Sequence, residues 1–157
     1  MRIKGFIFTA IFLLLATAGF AQNPQLERYA GKEGMTYVFV SSAMLQLLPA
    51  SASFDTNGVK ISDIKDKISS LQIVSAKNAE TSTQLRTEIG RMVGRNYEVL
   101  MMMVEEGSKI TFYATKQGEM INDLVMVADS DTNYTVIQLL GRFTTTDIQN
   151  ITKEKSN

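Results

Sequence analysis

The second half of the chain carries four β-prone runs in close succession: Tyr97 to Val104, Lys109 to Thr115, Met120 to Ala128 and Tyr134 to Leu140. The links between them, Glu105-Glu106-Gly107-Ser108, Lys116-Gln117-Gly118-Glu119 and Asp129-Ser130-Asp131-Thr132-Asn133, are short and built from turn-forming residues. Strands joined this tightly must lie antiparallel, because a parallel crossover needs a dozen or more residues. In the second run Ile110, Phe112 and Ala114 alternate with Thr111, Tyr113 and Thr115, the period of a strand with one buried and one wetter face. The pattern predicts an antiparallel four-stranded meander, and such a sheet needs cover.

The first half supplies it. Leu85, Ile89, Met92 and Val93 fall on one face of a predicted helix that opens at Asn78 or Thr81, with Gly94 placed to stop it. Leu26, Tyr29 and Ala30 sit at helical spacing before Gly31 and Gly34. Thr36 to Val40 reads as a strand, after which Ser42 can cap a short helix with Met44, Leu45 and Leu48, ended by Pro49. Ala50 to Lys60, with its Asn57-Gly58 turn, reads as a surface loop. Ile61, Ile64, Ile68 and Leu71 suggest helix, and Leu71 with Ile73 then alternates as a strand. A last helix opens at Thr144 with Asp147 three residues on, and the Lys-Glu-Lys-Ser-Asn tail should fray. The expected fold is a two-layer α+β domain, a four-stranded meander plus one or two N-terminal strands, with helices packed mainly on one face.

Residues 1–21 read as a secretory signal: Arg2 and Lys4 lead an apolar run from Phe6 to Leu15, and Gly19 and Ala21 form a small-residue cleavage pattern. The run is too short for the ~20 apolar residues of a membrane span. The mature chain, 22–157, is expected to be a single domain, soluble in the periplasm or outside the cell, with no stable membrane insertion after signal removal. It has no cysteine, so neither a disulfide nor a lipid-bearing first residue is available, and its stability must come from its core. Sixteen basic residues match sixteen acidic ones, and loss of Arg2 and Lys4 tilts the balance slightly acidic. That charge offers no footprint for nucleic acid or an anionic membrane.

"MMM" at Met101 to Met103 raises the question of a soft metal site, since thioethers bind cuprous copper and also fill irregular core gaps. On a strand, Met101 and Met103 face one way and Met102 the other, so adjacent methionines cannot converge on one ion. No histidine or cysteine is present to complete a shell. Packing is therefore the expectation, with Tyr97–Val104 a central strand covered on both faces, and no metal or other cofactor is expected. Asp129 to Asn133 copies the opening of a calcium loop, but Tyr134 stands where such loops need glycine and Leu140 where they need a bidentate glutamate. A hairpin turn is expected instead.

The absence of histidine removes the usual general base, zinc ligand and nucleophile partner. No G-x-S-x-G, phosphate-loop or dinucleotide motif occurs. The acid pairs Glu105-Glu106 and Asp129/Asp131 fall in predicted turns rather than a cleft. No catalytic residues are assigned. Arg86, Arg91 and Arg95 are expected to form a solvated helix face, with anion binding the lesser reading.

Several segments, "LERYAGKEGMTYVFVSSAML", "SLQIVSA", "NYEVLMMMVEEGSKITFYATKQGEMINDLVMVAD" and "VIQLLGRF", together resemble the exported Bacteroidetes family catalogued as domain of unknown function 4252. The resemblance is carried by Tyr29-Ala30-Gly31, Tyr97-Glu98 and Gly141, and spans about Leu26 to Lys153. It implies an exported α+β domain in a bacterial envelope, and carries no activity or site residues. The expected function is that of a non-catalytic binding or regulatory module of the envelope. It would engage a protein partner, or a second copy, through the sheet face bearing Thr111, Tyr113 and Thr115 with one of the Tyr97 and Glu98 sets. The alternatives are a carrier of a small apolar ligand and, less favoured, a hydrolase using carboxylates or a Ser/Lys pair.

Overall fold

Every strand of the second half pairs with its sequence neighbour, and two strands from the first half extend the sheet beyond the last of them. The computed structural model describes residues 25–49 and 62–152. Residues 1–21, 50–60 and 153–157, where a signal segment, a surface loop and a fraying tail are expected, lie outside them. In chain order the strands are β1 (Met35–Ser41), β2 (Ile68–Ala76), β3 (Glu98–Glu105), β4 (Ser108–Gln117), β5 (Met120–Ser130) and β6 (Tyr134–Phe143). The helices are α1 (Ser42–Leu47), α2 (Ala79–Asn96) and α3 (Thr145–Thr152), with 3-10 turns at Glu27–Tyr29 and Ser62–Lys67. The six strands form one open antiparallel sheet in the order β1-β2-β6-β5-β4-β3.

This order places β1 and β3 at the two edges. β2 and β3 run parallel with three strands between them, so the chain must cross the sheet, and α2 makes the crossing. Its start is fixed by a capping box: Asn78 Oδ1 accepts from the Thr81 amide at 2.9 Å, and the Asn78 amide donates to Thr81 Oγ1 at 3.4 Å. Thr81 Oγ1 also donates to the Gly34 carbonyl at 3.0 Å, tying the helix to the turn before β1. Gly94 does not stop the helix. It is absent from the glycines with positive φ, and the chain leaves the helix only at Tyr97, whose backbone is extended.

Two apolar clusters lie on opposite faces of the sheet. Leu85, Ile89 and Val93 of α2, with Leu26 and Tyr29, cover Val74, Val125, Val127 and Val136. On the other face Leu45 of α1, Ile64 of the second 3-10 turn and Ile148 of α3 join Leu71, Phe112, Leu124, Ile137 and Leu139. The expectation of two layers with helices mainly on one face therefore needs correcting. β2, β5 and β6 are apolar on both sides (Leu71 and Val74, Leu124 and Val125, Ile137 and Val136), so each side requires cover.

Local signals explain most element ends. Ser41, rather than Ser42, caps α1, accepting from the Met44 amide at 3.3 Å. At α3 the Thr144 amide donates to Asp147 Oδ2 at 2.7 Å and the Asp147 amide donates to Thr144 Oγ1 at 3.2 Å. Lys67 Nζ completes the corner by donating to Asp147 Oδ1 at 2.6 Å. Gly141 is required where the second 3-10 turn crosses β6: a Cβ there would stand 2.2 Å from the Lys67 carbonyl oxygen.

Candidate functional site

The methionine-rich strand is an edge. β3 pairs only with β4 among the described residues, so its outer side presents backbone donors and acceptors without a neighbouring strand. A register shift between Val99 and Met101 bends the strand and sorts its side chains. Met101 pairs with Phe112 and Met103 with Ile110, and both methionines pack, partly buried, against the cluster that holds Phe112. Val99, Met102 and Val104 lie opposite Tyr113, Thr111 and Lys109 on the α2 side and are 54%, 50% and 70% exposed. The expectation of a central, doubly covered strand is corrected here: Met101 and Met103 do face away from Met102, but the register shift moves Val99 onto the Met102 and Val104 face, the strand sits at the end of the sheet, and no residue of it is fully buried.

The expected docking face also changes. Thr111 is buried, and Tyr113 packs against the cluster that includes α2, so the helix lies over the Thr111, Tyr113 and Thr115 face instead of leaving it open. Tyr113 and Thr115 remain partly exposed, and the face is most open at its margin, at β3. Carboxylates frame it: Glu98 at one end, and Glu105 and Glu106, both exposed, at the other. Lys116 Nζ meets Glu98 Oε2 at 2.9 Å.

Behind this margin lies a buried polar group that sequence reasoning missed. Tyr97, at the junction of α2 and β3, donates its hydroxyl to Asp123 Oδ2 at 2.6 Å. Gln138 Nε2 donates to both Asp123 oxygens, at 3.0 and 2.9 Å. Burial, then the hydrogen bond to the Asp123 carboxylate, pushes the Tyr97 hydroxyl well above the ordinary tyrosine range. Gln138 is fully buried and its Oε1 accepts no hydrogen bond from the described residues. Its cross-strand neighbour Gln72 accepts from Tyr37 at 3.2 Å. A glutamine and an aspartate interrupting the apolar pattern of β6 and β5 were the available signal. The arrangement fixes the start of β3 to the middle of the sheet.

Other candidates are absorbed into structure. Asp129, the first position of the calcium-like segment, receives both Arg86 Nε at 3.0 Å and Arg86 Nη2 at 2.6 Å. The segment itself is a hairpin turn, with the Ser130 amide donating to the Asn133 carbonyl at 2.9 Å. Arg86 also stacks 5.2 Å from the centre of the Tyr134 ring, while Arg91 and Arg95 are exposed. Tyr29 donates to Glu88 Oε2 at 2.6 Å and carries Arg28 and Lys32 over its ring, which secures the opening segment against α2.

A family model matches residues 29–151, from the buried Tyr29 to the last turn of α3. The chain belongs to the DUF4252 family, a domain of unknown function. The match covers all six strands and all but the last residue of α3, so the edge at β3 and the polar group behind it lie inside the family domain. No curated protein and no solved structure matches the chain. No helix among the described residues is long and apolar enough to cross a membrane.

Proposed function

We propose that this DUF4252 chain is a non-catalytic, exported binding or regulatory module of the bacterial envelope that captures a protein partner by adding a strand to β3. Export rests on the signal-like segment 1–21, and the binding mode on one observation: an edge strand with apolar side chains on both faces. Val99, Met102 and Val104 stand exposed beside an unpaired backbone edge. An extended segment laid along β3 gains main-chain hydrogen bonds from the edge and side-chain contacts from these residues. Natural edges are usually blunted with lysine, proline, inward-pointing charge or a bulge, and from Val99 to Val104 this one carries only the register shift after Val99. The Tyr97–Asp123–Gln138 group holds the strand in place for docking.

Affinity capture from native envelope extract tests the reading with three baits. The wild-type chain should retain a partner that the Met102→Lys/Val104→Lys variant loses. Leu47→Lys, at an exposed apolar residue of α1, should retain it. Recovery of the same partner by the β3 variant would place the function elsewhere on the molecule.

A further inference from the structure

Charge along β3 identifies the kind of strand that fits it. From Glu98 to Glu106 the sequence EVLMMMVEE holds three carboxylates and no base. They are not equivalent. Glu98 is held by Lys116 at 2.9 Å, whereas Glu105 and Glu106 are exposed and form no ion pair with another described residue. The edge is therefore apolar along its length and acidic at the end that turns into β4.

Resting on the binding mode proposed above, we infer that the occupant of β3 is an extended segment of another protein, apolar at alternate positions and carrying Lys or Arg where it meets Glu105 and Glu106. Opposite charges across neighbouring strands stabilise a pair and like charges destabilise it. A second copy of this chain is the poorer occupant for the same reason. A symmetric antiparallel pairing centred on Met102 puts Glu106 of one copy across from Glu98 of the other, and it brings both acid sets onto one seam. The register shift between Val99 and Met101 would also fall within both halves of that seam. A basic strand avoids the charge clash and meets the register shift once instead of twice, and its apolar side chains find Val99, Met102 and Val104.

The test uses two fluorescently labelled peptides of alternating valine and threonine, one with two lysines at an end and one with two glutamates there. Fluorescence anisotropy is read against the full chain. The lysine peptide should bind about tenfold tighter than the glutamate peptide at low salt, and the gap should close in strong salt. Glu105→Lys/Glu106→Lys should reverse the preference, and Val104→Lys should weaken both peptides, with thermal melts confirming that both variants fold. If both peptides bind wild type equally and Val104→Lys still weakens them, charge selection is wrong while the β3 binding mode stands. If neither peptide binds at millimolar concentration, the binding mode itself fails. A concentration-dependent dimer, dissociated by Val104→Lys and excluding both peptides, would make a second copy the occupant and overturn the inference.

Discussion

Leu100–Val104 of β3 reads LMMMV and Leu124–Ala128 of β5 reads LVMVA, yet the two runs meet opposite fates. Leu124, Val125, Met126 and Val127 are all buried, between α2 on one face and the Phe112 cluster on the other. In β3 the same hydrophobicity leaves Met102 and Val104 half or more exposed. Composition and period are nearly identical, so neither decides burial. Strand order decides it: β5 has a neighbour on each side, whereas β3 ends the sheet.

The sharpest way to break this comparison is to truncate one residue in each run. Leu124→Ala should lower stability by about 2–5 kcal/mol, the usual cost of emptying a close-packed core site, as read from urea unfolding. Met102→Ala should cost no more than about 0.5 kcal/mol, as exposed substitutions generally do. Similar losses at the two positions would show that β3 is covered.

Removing the link between the two strands should have an intermediate effect. Tyr97→Phe deletes the hydroxyl that donates to Asp123 across the sheet and should cost about 1–3 kcal/mol in the same assay, as expected for a buried hydrogen bond to a charged group. An unchanged midpoint would mean that Tyr97 does not anchor β3.

The pH dependence of stability separates the buried side from the open edge. Burial, and after it the hydrogen bond to Glu88, pushes Tyr29 up to about 12 from 10.0. A tyrosine whose value is raised on folding adds stability that is complete below the unfolded value and is lost as pH climbs through the folded one. Stability should therefore fall between pH 10 and about 12, and Tyr29→Phe should flatten part of that fall. On the acid side, the hydrogen bond from Lys67 leads in holding Asp147 below its ordinary value. The stability it adds should disappear as pH drops through the lowered value, and Asp147→Asn should reduce that acid loss. The smallest effect belongs to the edge itself: Val104→Lys should change the unfolding midpoint by no more than about 0.5 kcal/mol in the free protein.

Much of the fold was legible in the sequence because its signals are local. Glycine and Asx turns mark the hairpins, Asn78 with Thr81 marks the start of α2, and Thr144 with Asp147 marks the start of α3. The family resemblance read around Tyr29-Ala30-Gly31, Tyr97-Glu98 and Gly141 agrees with the family match. What was not legible depends on distant pairing. β2 joins β6 rather than standing apart, and this choice sends α2 over the Tyr113 face and leaves β3 at the margin. Nothing within Tyr97–Val104 records that outcome. The Tyr97–Asp123–Gln138 group was hidden for the same reason, since its members come together only when α2, β5 and β6 are in place.

Amide hydrogen exchange along the two runs tests the open edge most directly, on dilute protein without partner. Every amide from Leu124 to Val127 should be slow, whereas in β3 the amides directed away from β4 should exchange fast and their alternate neighbours slowly. Uniform protection of β3, equal to that of β5, would mean that its outer side is already occupied, and strand capture there would be untenable.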